Sequence, residues 1–182
     1  PPKTSIMDKR EKLLYALILI LAGALLGYGW KLFWFLTDDA YISFRYISNW
    51  TLGHGLVWNP PPFRPVEGYT NFLWVMMLAG GMALSIDPVW LAQVLGVVFL
   101  VATFAVLAHT ARAMGTIPLA AIGFALHEHT LLFSTCGLET SMYTFFVTAG
   151  LLRLASADRA GQFFRGGLWL ILATMTRPDG AI

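Results

Sequence analysis

Two adjacent carboxylates, Asp38 and Asp39, directly follow a largely apolar stretch at residues 13–36. A charge at the centre of a bilayer costs roughly 2.5–3.5 kcal/mol, so the pair belongs at the mouth of a membrane helix, outside the hydrocarbon. There an aspartate can act as general base toward a hydroxyl, or the pair can hold a hard divalent cation through oxygen. The sequence therefore predicts an acidic site within reach of a lipid-borne substrate.

Further polar and ionisable side chains occur in segments that we expect on the same side of the membrane. An arginine there suits a phosphate, because the guanidinium donates two parallel hydrogen bonds and never loses its charge. With the two aspartates, these are the groups that a phosphoryl-linked lipid donor requires. The candidates besides the aspartates are Arg45, His54, Glu67, Tyr69, Asn71, Glu139, Arg177 and Asp179.

Each candidate also has a purely structural interpretation. Asp38 could cap a short helix at residues 40–50, because aspartate is a preferred N-cap, and Arg45 could pair with either aspartate. The other structural interpretations are a loop hydrogen bond for His54, an ion pair with Arg64 for Glu67, and a helix-terminal turn around Pro178 for Arg177 and Asp179.

The sequence His127-Glu128-His129 interrupts an apolar segment. Two histidines two residues apart lie about 200° apart around a helix, so they cannot share a metal unless the helix breaks. We interpret the motif as a locally broken helix that lines a cavity, with Glu128 turned inward.

The composition indicates a membrane protein. Hydrophobic residues make up 57% and charged residues 12% of the 182, whereas soluble domains average about 25% charged residues. The formal net charge of +2, without a basic stripe, excludes a nucleic-acid-binding protein. The single cysteine, Cys136, excludes an internal disulfide framework.

Apolar segments predict an all-α, polytopic fold with about five membrane spans. Residues 71–86 are also apolar, but 16 residues form a helix of about 24 Å, short of the roughly 30 Å hydrocarbon core. We therefore expect this juxtamembrane segment to dip into the outer leaflet without crossing. The predicted spans are 13–36, 88–108, 117–133, 141–154 and 166–176.

The charge distribution predicts the topology. Lys3, Lys9, Arg10 and Lys12 make residues 1–12 a cytoplasmic N-terminus. Residues 37–86 then form the first outer loop of a transmembrane domain over residues 13–182, which we expect to be a fragment of a longer protein. If residues 71–86 do not cross, Arg112 and the arginines of residues 153–165 also become cytoplasmic, as the positive-inside rule favours.

Five short motifs resemble GT-C type membrane glycosyltransferases. The resemblance is closest to the subgroup that contains terminal β-(1→2)-arabinofuranosyltransferases and a related bacterial family of flagellar motor control proteins. It covers roughly residues 13–182, and the His127-Glu128-His129 motif departs from the family pattern. The motifs are residues 38–46, 53–59, 66–71, 137–140 and 177–180.

The resemblance implies a cell-wall enzyme of the bacterial inner membrane, with an active site that faces the periplasm. Such an enzyme transfers a sugar, for example arabinofuranose, from a polyprenyl-phosphate donor to a glycan or lipid-linked acceptor, with inversion. Asp38 or Asp39 would be the general base, Asp38 being the first choice, and Arg177 or Arg45 would stabilise the leaving phosphate. A divalent cation is the one candidate cofactor. The substrate-binding residues would be Arg45, His54, Glu67, Tyr69, Asn71, Glu139, Arg177 and Asp179.

Two other functions are open at this point. His127, Glu128 and His129 could form the proton relay of a membrane transporter, although no inverted repeat is visible. A non-catalytic membrane scaffold could also retain the GT-C fold.

Overall fold

The computed structural model describes residues 9–66 and 68–181, and within these ranges it contains helices and no strand. The predicted all-α class is therefore correct. The helices are α1 Lys9–Leu32, α2 Ala40–Thr51, α3 Phe72–Ala83, α4 Pro88–Ala113, α5 Leu119–Leu126, α6 Glu128–Thr135, α7 Thr140–Ala155 and α8 Ala160–Thr176, followed by a 3-10 turn, Pro178–Ala181.

The prediction of about five membrane spans is wrong. In the part of the chain that the structure describes, two helices are long and apolar enough to cross a membrane, Lys12–Leu32 and Pro88–Ala113. α7 has 16 residues and α8 has 17, so they are about 24 and 26 Å long, below the roughly 30 Å core. Hydropathy identified these segments as apolar but did not locate where their helices end.

The predicted span at 117–133 is broken at His127. α5 ends at Leu126 and α6 begins at Glu128, while His127 has an extended backbone (φ −77°, ψ 112°). Its Nδ1 accepts a hydrogen bond from the Thr130 backbone N–H at 3.3 Å and lies 2.9 Å from the Thr130 hydroxyl. The predicted break is confirmed, but Glu128 is exposed, so the expected inward orientation is wrong.

The segment predicted to dip into the membrane is a core helix. α3 has 12 residues, about 18 Å, and the side chains of Trp74, Val75 and Leu78 are fully buried. The indole Nε1 of Trp74 donates a hydrogen bond to the Gly137 carbonyl at 3.3 Å. The apolar character of α3 therefore reflects packing against α2, α4 and α8. The predicted position of this segment in the outer leaflet stays a prediction.

α1 has the opposite character, since its apolar residues face outward. Leu13 is 72% exposed, Leu17 is 60% exposed and Ile20 is 70% exposed. A long stripe of exposed aliphatic side chains is unfavourable in water and favourable against lipid.

α1 and α4 are antiparallel. The Tyr15 hydroxyl, near the start of α1, donates a hydrogen bond to the carbonyl of Ala108, near the end of α4. At the opposite end, the Gln93 side-chain amide donates to the Phe35 carbonyl at 3.3 Å. The Thr37 backbone N–H donates to the Cys136 carbonyl at 3.0 Å, which brings the start of α7 to that same end.

The charged residues consequently separate toward two ends of the molecule. We call the end that carries Asp38, Asp39, Glu139 and Asp179 the acidic end. The opposite end, called the basic end, contains the start of α1, the end of α4 and the α7–α8 turn. α7 begins at the acidic end and packs along α4, and α8 packs along α7 in the opposite direction. The basic residues at the basic end are Lys9, Arg10, Lys12, Arg112, Arg153, Arg159 and Arg165.

Gly96 permits the closest approach of α4 to α6. A Cβ atom at this position would lie 2.0 Å from the backbone oxygen of Ser134, which cannot move away as a flexible side chain can. We expect Gly96→Ala to cost roughly 3 kcal/mol and to lower the unfolding temperature in detergent by about 6–12 °C. Gly123→Ala is the matched control, because a Cβ on Gly123 of α5 meets no atom within 4 Å. Equal unfolding temperatures for the two variants would contradict this packing.

Candidate functional site

The acidic pair lies at the turn into α2. Asp39 is the N-cap residue of α2, but its side chain makes no capping hydrogen bond. The Asp38 carboxylate accepts hydrogen bonds from the Asp39 backbone N–H at 3.1 Å and from the Thr37 hydroxyl at 3.2 Å. The cap position therefore belongs to Asp39 and not to Asp38. Both side chains are exposed, and neither takes part in a salt bridge among the described residues.

Gly137 lets the loop before α7 pack against the start of α2. Its φ of +87° is in the left-handed region that favours glycine. A Cβ there would also lie 2.5 Å from Leu36 Cδ1 and 2.9 Å from the Ala40 Cβ. The motif at residues 137–140 therefore lies directly beside the residue that follows Asp39.

Glu139 connects three other segments of the chain. The Asn71 side-chain amide donates a hydrogen bond to Glu139 Oε2 at 3.0 Å and another to the Ser43 hydroxyl at 3.1 Å. Arg177 Nη1 lies 4.0 Å from Glu139 Oε1. The Glu139 side chain is only 13% exposed, so these contacts hold a nearly buried carboxylate in place. Residues more than 100 positions apart in the chain thus share one polar cluster.

Arg177 lies between two carboxylates and an aromatic ring. Its Nε donates a hydrogen bond to Asp179 Oδ1 at 3.1 Å, and its guanidinium carbon lies 5.6 Å from the centre of the Tyr143 ring. The hydrogen bond to Asp179 raises the pKa of Arg177, and the same bond lowers the pKa of Asp179. The Arg177 side chain is still 40% exposed, so part of the guanidinium faces outward.

The lowered pKa of Asp179 sets the pH range of this pair. Because folding depresses the carboxyl pKa, the pair contributes stability above the pKa of the unfolded chain. That contribution is lost as the pH falls through the depressed value. Arg177 therefore stays paired throughout the neutral range.

Arg45 does not join the cluster. Its Nε donates a hydrogen bond to the Trp58 carbonyl at 3.3 Å, and its guanidinium carbon lies 5.9 Å from the centre of the Trp58 ring. The interpretation of Arg45 as a partner of Asp38 or Asp39 is therefore wrong. Arg45 instead braces the loop that follows α2.

Two further candidates, His54 and Tyr69, lie in the loop between α2 and α3. His54 is exposed between Gly53 and Gly55, which both have φ +83°. The Tyr69 ring packs on the Tyr46 ring with 4.8 Å between their centres. Glu67 lies outside the described residues.

A small cavity of about 180 Å³ opens beside the start of α7. Its walls combine aromatic rings with several hydroxyl groups, a mixture that suits a ligand rich in hydroxyl groups. The helix break at His127 shapes one side of the cavity. The lining residues are Phe124, His127, His129, Thr130, Phe133, Thr140, Ser141 and Thr144.

Ser43, Tyr143 and the hydroxyl-bearing residues of the cavity are not among the site residues predicted from the sequence. A helical spacing of four could have found the first two, because Ser43 follows Asp39 by four residues and Tyr143 follows Glu139 by four. The cavity required the position of the helix break, which hydropathy does not reveal.

A metal site built by the protein finds no support in residues 9–66 and 68–181. No group of three or more His, Cys, Asp or Glu side chains is arranged there to hold a metal ion. Among these residues, Asp38 and Asp39 therefore have no third acidic, histidine or cysteine ligand of this kind, and a divalent cation held by the pair stays a prediction.

Comparison of the chain with protein-family models, with curated proteins and with solved structures finds no match. The GT-C resemblance of the short motifs is therefore a prediction.

Proposed function

We propose that this chain is a membrane glycosyltransferase of GT-C type, which transfers a sugar from a polyprenyl-phosphate donor to a glycan or lipid-linked acceptor with inversion. One observation carries the proposal. Asn71, Glu139, Arg177 and Asp179, which belong to three separate motifs, meet in one polar cluster that is joined by two hydrogen bonds and by the 4.0 Å ion pair between Arg177 and Glu139. The cluster lies at the same end of the molecule as Asp38 and Asp39, which follow the candidate membrane span Lys12–Leu32.

The exposed aspartates provide the general base. In the proposed reaction one of them takes the proton of the acceptor hydroxyl while that oxygen attacks the anomeric carbon of the donor sugar. The bond between the anomeric carbon and the phosphate oxygen breaks, and the polyprenyl phosphate leaves with its electron pair. Neither carboxylate is engaged in a salt bridge among the described residues, so both are accessible to an acceptor hydroxyl.

The positive charge of Arg177 stabilises the leaving phosphate. A guanidinium has five N–H donors, and the hydrogen bond to Asp179 occupies one of them, so about four remain for phosphate oxygens, one of these nitrogens lying 4.0 Å from Glu139 Oε1. The neighbouring carboxylates suit a sugar, because sugar hydroxyls donate hydrogen bonds to them. Glu139 and Asn71 would position those hydroxyls.

The separation of charge supports an orientation for the proposed enzyme. Lys and Arg residues concentrate on the cytoplasmic side of membrane proteins, so the basic end would face the cytoplasm. The acidic end, with the proposed active site, would then face the periplasm of a bacterial inner membrane. This orientation places the acceptor hydroxyl on the outer surface.

Thiol labelling of intact cells tests the orientation. Cysteines introduced at Thr116 and Ser156, at the basic end, are expected to resist a membrane-impermeant maleimide, whereas a cysteine at Thr70 is expected to react. The native Cys136 should add little background, because it is fully buried and burial raises the pKa of its thiol. External labelling of Thr116→Cys or Ser156→Cys would refute the orientation.

The activity test uses the chain reconstituted in lipid nanodiscs with radiolabelled polyprenyl-phosphate sugars, beginning with arabinofuranose. We expect saturable donor binding and transfer of label to an added glycan acceptor. Protein-free nanodiscs and the double variant Asp38→Asn/Asp39→Asn are the controls. Absence of donor binding for every sugar tested, with proton-coupled flux in proteoliposomes, would overturn the proposal in favour of a transporter.

A further inference from the structure

A second groove lies at the basic end, on the surface between α7 and α8. It has a volume of about 490 Å³ and is lined by Arg153, Arg165, Leu168, Trp169 and Leu172. None of these residues belongs to the Glu139 cluster. The groove therefore requires its own explanation, independent of the proposed glycosyl transfer.

The groove changes from charged to apolar along one face of α8. Arg165, Leu168, Trp169 and Leu172 are spaced by three or four residues, so they form a single stripe on the helix. Arg165 is nearest the basic end, and the apolar residues continue toward the middle of the molecule. Leu168 is 44% exposed, which leaves this apolar part accessible. Such a stripe matches an amphiphile with a charged head and an apolar tail.

The two arginines have no acidic partner. Among the described residues, neither Arg153 nor Arg165 forms a salt bridge, whereas Nε of Arg159, between α7 and α8, lies 4.0 Å from Asp158 Oδ1. Both guanidinium groups are exposed, and both border the same groove. Two uncompensated guanidinium groups at one site attract an anion, and their planar fork matches phosphate oxygens.

We propose that this groove binds an anionic phospholipid. The phosphate diester would lie against Arg153 and Arg165, and an acyl chain would follow Leu168, Trp169 and Leu172. The surroundings favour a lipid over a water-soluble phosphate ester, because Phe163 and Phe164 in the first turns of α8 are also exposed. Arginines next to a membrane surface attract anionic lipid headgroups.

The test measures lipid binding to the delipidated full chain in a non-ionic detergent by native mass spectrometry. Phosphatidylglycerol is the probe, and phosphatidylcholine with the same acyl chains is the comparison. We expect phosphatidylglycerol to bind about tenfold or more tightly. Arg153→Gln and Arg165→Gln should each weaken its binding about fivefold, and the double variant about 25-fold. Arg159→Gln, a matched change between α7 and α8, should leave the affinity unchanged.

Two further measurements distinguish a lipid from a soluble phosphate. Leu168→Ser should weaken phosphatidylglycerol binding, and glycerol 1-phosphate at millimolar concentration should not displace the lipid. Displacement by glycerol 1-phosphate, equal affinity for the two lipids, or unchanged binding by the double arginine variant would each overturn the proposal. If an arginine variant unfolds, the preference of the unmodified chain between the two lipids still decides.

Discussion

Replacing the acidic pair, as Asp38→Asn and Asp39→Asn, is expected to reduce sugar transfer by about 10²–10⁴-fold in the variant that removes the general base. An asparagine keeps the size and the hydrogen-bonding oxygen of aspartate but cannot take the proton of the acceptor hydroxyl. Donor binding should change little, because the proton is transferred only during the reaction. Single-turnover transfer from radiolabelled donor, measured beside donor affinity, separates the two effects.

The two variants also decide which aspartate is the base. One Asp38 oxygen already accepts hydrogen bonds from Thr37 and from the backbone of Asp39, whereas the Asp39 side chain makes no capping bond. The GT-C resemblance nevertheless favours Asp38. Since the Asp39 side chain makes no capping hydrogen bond, Asp39→Asn should leave the start of α2 intact. A loss of transfer in this variant would therefore reflect chemistry and not unfolding.

Asp87→Asn is the matched control for this pair. Asp87 is the N-cap residue of α4 and accepts a hydrogen bond from the Trp90 backbone N–H at 2.8 Å, so the same amide replacement tests capping alone. We expect the control to retain full transfer. Full transfer in both Asp38→Asn and Asp39→Asn would refute the assignment of the base and would favour the scaffold or transporter alternatives.

Replacing Arg177 with glutamine should reduce sugar transfer by about 10²–10³-fold, because charge stabilisation of the leaving phosphate is lost. Arg177→Lys should recover only part of the rate, since an ammonium group cannot donate two parallel hydrogen bonds to phosphate. Transfer rates for both variants, measured with saturating donor, check this expectation. Arg159→Gln at the basic end removes the same charge far from the cluster and should leave transfer unchanged.

Asp179→Asn distinguishes positioning from direct catalysis at Arg177. Asp179 orients Arg177 through a 3.1 Å hydrogen bond, so its loss should reduce transfer less than Arg177→Gln does. The unfolding temperatures of both variants should be measured in parallel, because Arg177 also contacts Glu139. Unchanged transfer in Arg177→Gln would show that this guanidinium has no role in the reaction.

Which segments are helical and which residues carry charge could be predicted from local sequence patterns. The apolar segments predicted α1 and α4, and the short helix predicted at residues 40–50 is α2. The break at His127 was also predictable, because a charged motif inside an apolar segment opposes a continuous membrane helix. These features depend on local composition and spacing, which can be read along the chain.

The ends of the helices, the residues that bury them and the polar groups that meet depend on tertiary packing. Hydropathy predicts that α3 is a membrane segment, whereas the structure shows that Trp74 and Leu78 are buried inside the protein. Glu139 is one charge among several in the sequence, yet in the structure it contacts both Asn71 and Arg177, which lie more than 100 residues apart in the chain. Hydropathy measures the preference of a side chain for an apolar environment and does not distinguish lipid from protein. Long-range hydrogen bonds depend on how the helices pack, so the cluster beside Asp38 and Asp39 became visible only once the helices were placed.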